Sequence, residues 1–166
     1  MGTASTVKIP ASDDEAAQAA AALRGSQRAE ELLDALEDMI LAEGFARITV
    51  GDMAARLRCS RRTLYELAPS KQELVLLVLQ RFFERVRSAG RSALAGRDDP
   101  GEQIQAYLQA GARAAQKLSP LIVADIDRWA PSRKEWQEHI RLRVEGLREL
   151  VQAGIDRGRF RGVHAH

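Results

Sequence analysis

The densest chemistry in this sequence is cationic. Arg56, Arg58, Arg61 and Arg62 fall within seven positions, and no acid stands anywhere between residues 53 and 65. Hydroxyls are interleaved with them at Ser60, Thr63 and Tyr65, and Lys71 follows. Guanidinium, ammonium and hydroxyl groups at this density are the donors that meet phosphate oxygens, and arginine can also read the O6 and N7 edge of guanine with two parallel bonds. The plainer reading of the same residues is a solvated basic turn. Bulk charge does not choose between them, because the formal net charge is only +2 over 166 residues, and net charge speaks to partners only through its distribution.

The elements that carry these residues are helical. Leu32, Leu33, Leu36, Met39 and Ile40 recur at helical spacing, which predicts a first helix from about Gln27 to Glu43. Gly44 is its left-handed stop, with Phe45 folding back on Ile40 in a Schellman contact. Thr49 with Asp52 three residues on forms a capping box for a second helix ending near Leu57 or Arg58, and Ile48 with Met53 forms its hydrophobic staple. Ser60 caps a third helix, which Pro69 closes by disfavouring helical geometry at Ala68. Ser70-Lys71-Gln72-Glu73 reads as a full capping box opening a long fourth helix that runs to about Gly96. Three further helical stretches follow: Ile104 to Ala115, Leu121 to Trp129, and one marked from Trp136 to Ile155 that stops near Gly158.

Arg61 and Arg62 occupy the first two positions of the third helix. Cations there oppose the helix dipole at a cost of roughly 0.3–1 kcal/mol each, so an anion is the natural visitor to that end. Two short helices separated only by Arg58-Cys59-Ser60 are a helix-turn-helix pattern, in which the second helix enters the major groove.

The segment T-V-G-D-M-A-A-R-L-R-C-S-R-R-T-L-Y-E-L-A-P-S-K-Q-E-L, preceded by A-E-G-F-A-R-I-T, resembles the DNA-binding segment of the TetR family of bacterial repressors over about residues 28 to 79. R-E-L-V-Q-A-G-I-D-R-G-R-F-R is similar to the seventh helix and its exit in many members. The resemblance implies an all-α protein: a three-helix head joined by a long helix to a helical-bundle regulatory body. Residues 1–23 form a mobile tail, 24–69 the helix-turn-helix domain and 70–166 the ligand-binding and dimerisation domain.

It also implies roles. Thr49, Arg58, Ser60, Arg61, Arg62, Thr63, Tyr65, Glu66 and Lys71 are the candidate DNA-binding residues. Thr49, Tyr65 and Lys71 would touch phosphate, whereas Arg61, Arg62 and Thr63 would approach bases and phosphates. For Tyr65 a half-buried core aromatic is the equal alternative. Phe82, Phe83, Tyr107, Trp129 and Trp136 are candidates to line an effector pocket, against the alternative of ordinary core aromatics. The implied partners are a two-fold operator in double-stranded DNA, a small-molecule effector that releases a repressor from it, and a second copy of the chain. The competing reading is a helical protein-interaction module that kept the fold without binding DNA.

Departures from the family pattern are Arg58 and Arg62 where glycine is usual, Glu66 where many members carry histidine, and Ala68 in place of an aromatic. Arg58 then holds a left-handed backbone that glycine would hold without strain. Glu66 either accepts from cytosine N4 or repels phosphate. TetR-like chains usually continue for two more helices beyond the point where this one stops. Three explanations stay open: a shortened chain, a natural member without them, or one that pairs through its last helix.

Other function classes find little support. Cys59 is the single cysteine, which excludes an intrachain disulfide and fits a cytoplasmic protein. No apolar run spans a bilayer. His139, His164 and His166 lack metal-ligand spacing, and no phosphate-binding loop or nucleophile elbow is present. No enzyme activity, metal or cofactor is expected. Asp125 and Asp127, two apart on a helix, read as a solvated face rather than a carboxylate pair.

Overall fold

In the computed structural model, the backbone is described from Asp13 to Arg161, and side chains from Gln27 to Arg161. The described residues form seven helices and no strand: α1 (Asp13–Glu43), α2 (Val50–Arg56), α3 (Arg61–Leu67), α4 (Lys71–Ser92), α5 (Pro100–Ala115), α6 (Pro120–Arg128) and α7 (Ala130–Asp156). No helix among them is long and apolar enough to cross a membrane.

The first helix corrects the expected start near Gln27. It begins at Asp13, so the part of the expected tail from Asp13 to Leu23 is helical, and residues 1–12 lie outside the described part. The run Ala19 to Ala22 has the highest helix propensity of any residue type, and it extends the helix back from the packed segment that follows.

Local signals set the boundaries of the head. Thr49 makes both arms of its capping box, accepting from Asp52 N at 3.1 Å while Thr49 N donates to the Asp52 carboxylate at 2.8 Å. Ile48 and Met53, its staple, are both buried. Ser60 accepts from Thr63 N at 3.0 Å. Ser70 makes one arm only: its hydroxyl accepts from Glu73 N, but Glu73 takes that hydroxyl's proton at 2.8 Å instead of reaching the Ser70 backbone. The full box expected there is therefore half a box.

Helix α2 ends in a Schellman motif. Cys59 N donates to Ala54 O and Arg58 N to Ala55 O, with Arg58 at φ 51°. Gly44, at φ 74°, ends α1 as expected, but the Schellman hydrogen-bond pattern does not form. Gly44 N returns to Ile40 O, while Phe45 N and Ala46 N donate to the Asp125 carboxylate of α6 at 2.7 and 2.8 Å. This corrects the reading of Asp125 as solvated: it is 8% exposed. Two backbone donors freed at a helix exit supply the partners that a buried carboxylate needs.

One core runs through head and body. Leu36, Ile40, Met53, Leu64, Leu74, Val75 and Val78 pack the head onto the first half of α4, and Phe82, Phe83, Val86 and Ile122 carry the core into the body. Each fully buried side chain of this size contributes about 1.5–3 kcal/mol through burial. On the outer edge, α4 is tied to α1 by charge. Arg81 pairs with Glu30 and with Asp34 (2.7 Å), and Arg85 with Asp34 (2.7 Å) and Glu37. The hydrogen bonds from Arg81 and then Arg85 hold the Asp34 carboxyl below its ordinary range.

Candidate nucleic-acid interface

The start of α3 stands clear of the core. Only Leu64 of this helix is fully buried, anchoring it to the head, so the face holding Arg61, Arg62, Tyr65 and Glu66 is exposed. Tyr65 is 48% exposed, which fits the phosphate reading better than the core reading. Ser60 and Thr63 bond each other through their hydroxyls at 2.9 Å. Thr49 shares its hydroxyl with Asp52 at 2.6 Å.

The four arginines that cluster in sequence separate in space. Arg56 leaves the group, held by Glu43 of α1 at 2.6 Å. Arg62 bonds Glu66 one turn on, at 3.2 Å with both side chains largely exposed, a geometry that contributes little stability. Glu66 thus has a cation to pair with before any base is offered. Arg58 and Arg61 have no carboxylate within ion-pair distance among the described residues, and they present charge beside the turn.

Arg61 lies across the first turn of α2. A Cβ on Gly51 would stand 2.8 Å from Arg61 Nη2, so glycine opens the space that the guanidinium crosses. Sequence reasoning missed this role of Gly51, although a glycine inside a seven-residue helix, costing about 1 kcal/mol against alanine, was the available signal. Lys71 lies apart from the arginines. It is half-buried, with Nζ 3.4 Å from Ala46 O, and borders a cleft with Phe45, Gln72 and Trp129.

The body divides the five aromatic candidates. Phe82 and Trp136 share a cleft between α4, α5 and α7. Phe83 is 1% exposed, stacked on His139 at 4.7 Å between ring centroids. The Tyr107 hydroxyl donates to Arg143 O at 3.1 Å. Trp129 packs edge-on against Phe45 at 5.7 Å, at the junction of head and body. The buried polar groups went unforeseen. Glu37 is 1% exposed, and burial raises its carboxyl pKa despite Arg85. His139 is 5% exposed, with its pKa lowered to about 4 by burial and then by Arg87 and Arg143.

A helix-turn-helix with an exposed basic second helix, mounted on a helical body, defines the architecture of a DNA-binding regulator. Residues 32–78 match the family model of bacterial regulatory proteins, tetR family. The whole fold is similar to the crystal structure of a TetR family transcriptional regulator, PfmR, from Thermus thermophilus, at 26% identity and TM-score 0.62, covering 80% of this chain and 74% of that one. It is also similar in fold to a TetR family transcriptional regulator from Agrobacterium tumefaciens, at 19% identity and TM-score 0.66, covering 84% of this chain and 78% of that one. No curated protein sequence matches the chain. The head is thus similar to the DNA-binding segment of the TetR family over residues 32–78, and the described helices are arranged as in these two regulators.

Proposed function

We propose that this chain is a sequence-specific DNA-binding transcriptional regulator. In this reading it acts as a homodimeric repressor on a two-fold operator and is released by a small molecule bound in the body. The single observation that carries the reading is the pair Arg58 and Arg61, exposed beside the start of α3 with no carboxylate within ion-pair distance among the described residues, inside the segment that matches the TetR model. Arg61, Arg62 and Thr63 would reach base edges and phosphates, with Thr49, Arg58, Ser60 and Tyr65 on the flanking backbone. Lys71 joins them only if its ammonium leaves the Ala46 carbonyl.

Release needs a path from body to head, and two contacts supply one. Helix α4 carries the shared core from head to body. Asp125 of α6 holds the α1–α2 loop by two backbone N–H groups. A ligand that shifts α4 or α6 would change the angle of the head, and so the spacing of the two reading helices in a dimer.

The Arg62–Glu66 pair favours the protein-interaction alternative, since it offers nucleic acid less free charge. Selection from a pool of random DNA duplexes separates the two. Enrichment of a two-fold site by the wild type, lost in Arg61→Ala/Arg62→Ala, is expected. No enrichment by folded protein at low salt would overturn DNA binding and leave the interaction module.

A further inference from the structure

The body holds a cation that its own structure does not neutralise. Arg143 of α7 reaches between α4 and α5, its guanidinium carbon 4.3 Å from the Tyr107 ring centroid. Nη2 donates to Tyr107 O at 3.2 Å. Two glycines make the slot: a Cβ on Gly90 would meet Nη1 at 3.0 Å, and one on Gly111 would collide with Nη2. Nη1 is shielded from solvent and has no hydrogen-bond partner. A buried donor left bare is costly, and more so when it is charged. The arginines of the α1–α4 seam all have carboxylates, and Arg143 has none within ion-pair distance among the described residues.

The guanidinium borders the cleft between α4, α5 and α7, of about 190 Å³, lined also by Phe82, Leu108, Trp136 and His139. That volume lies below the roughly 300–1,000 Å³ of pockets for drug-sized ligands, so the fitting ligand is a fragment-sized molecule. A cationic ligand would meet Arg143 with like charge. A neutral apolar one would leave the guanidinium that borders the cleft without a counter-charge. A phosphate dianion would find few donors on walls that are mostly hydrocarbon. A carboxylate matches a planar guanidinium.

We propose that this cleft binds a small organic monocarboxylate, its acid group paired with Arg143 and its apolar body resting on Phe82, Leu108 and Trp136. This assigns a chemical class to the effector of the regulatory reading and rests on that reading for its consequence at the operator. It gives the glycines at 90 and 111 a purpose, since a guanidinium must pass both to reach the cleft.

Titration calorimetry and thermal shift on the full chain, with benzoate and hexanoate against benzamide and hexanamide, test it. The carboxylates should bind and raise the melting temperature, with the amides at least about tenfold weaker, the factor expected for loss of one charge-assisted hydrogen bond. Arg143→Gln, with helicity checked by circular dichroism, should abolish the preference, and Arg143→Lys should keep part of it. Equal binding of acids and amides, retained preference in Arg143→Gln, or no binding of any of the four probes would overturn the assignment. Operator selection by the head is read separately, so failure here leaves DNA binding untouched. A carboxylate that binds without weakening DNA binding would instead count against ligand release.

Discussion

The surface of α3 and the seam between α1 and α4 are both rich in arginine, and they treat it in opposite ways. Along the seam, Arg81 and Arg85 are paired with Glu30, Asp34 and Glu37. Beside α3, Arg58 and Arg61 carry no partner among the described residues, and Arg62 has only an exposed one. A cation that organises the fold is neutralised within the fold, where leaving it unpaired would be expensive. A cation kept for a visitor stands in water at little cost. Arginine density therefore says little by itself, and the distant acids decide its role.

Substitutions at the two places should diverge. The largest expected effect is at the seam. Arg85→Met strips the partner from Glu37, and breaking a buried pair costs about 3–5 kcal/mol; with the Arg85 side chain 45% exposed, a loss of about 2 kcal/mol is expected in urea denaturation. Arg85→Met/Glu37→Met should regain most of it, because an apolar pair needs no neutralising. Arg61→Ala on the same assay should stay within about 0.5 kcal/mol of wild type, as an exposed side chain does. A larger loss would erase the distinction between the two regions.

Next in size is the clasp between them. Asp125→Ala leaves Phe45 N buried without an acceptor, at about 1–3 kcal/mol. If the clasp also transmits body movements, DNA affinity should respond less to ligand in this variant, measured by fluorescence anisotropy on a labelled operator.

The pH dependence sharpens the same point inside the body. His139 is held neutral, with its pKa near 4 against an ordinary 6.5. The unfolded chain therefore binds the extra proton between those values, and stability should fall as pH drops from 6.5 toward 4. Glu37, raised by burial, acts in the opposite sense, its share lost as pH rises above the ordinary 4.5. Urea midpoints at pH 7 and pH 5 should differ less in His139→Gln than in wild type, and an unchanged difference would remove His139 as the cause.

The smallest effect concerns the turn. Arg58 holds φ 51°, a conformation that costs a residue with a side chain roughly 1–2 kcal/mol. Arg58→Gly should raise stability by about 1 kcal/mol while weakening DNA binding. Gained stability without weaker binding would mean that Arg58 only occupies the turn.

Much of this was legible in the sequence because it is local. The caps at Thr49, Ser60 and Ser70, the left-handed stops at Gly44 and Arg58, and the apolar stripes each depend on residues within a turn or two. What was not legible depends on residues far apart. Asp125 was read as solvated because its partners, Phe45 and Ala46, lie about eighty residues away. The seam was hidden although Glu30, Asp34 and Glu37 follow helical spacing opposite Arg81 and Arg85; only the packing of α1 on α4 makes them one network. Among the pocket candidates, residue type could not separate Phe82 and Trp136, which share a cleft, from Phe83, which fills the core.

If the unpaired arginines beside α3 are there for phosphate and base edges, salt dependence tests that role most directly. Binding of the selected duplex should weaken steeply with salt, the logarithm of affinity falling by about 0.9 per phosphate neutralised for each unit of log salt. Arg61→Ala/Arg62→Ala should bind more weakly with a slope shallower by about one to two units, roughly one for each phosphate no longer neutralised, whereas Arg85→Met should keep the wild-type slope. Equal slopes in wild type and Arg61→Ala/Arg62→Ala would contradict it.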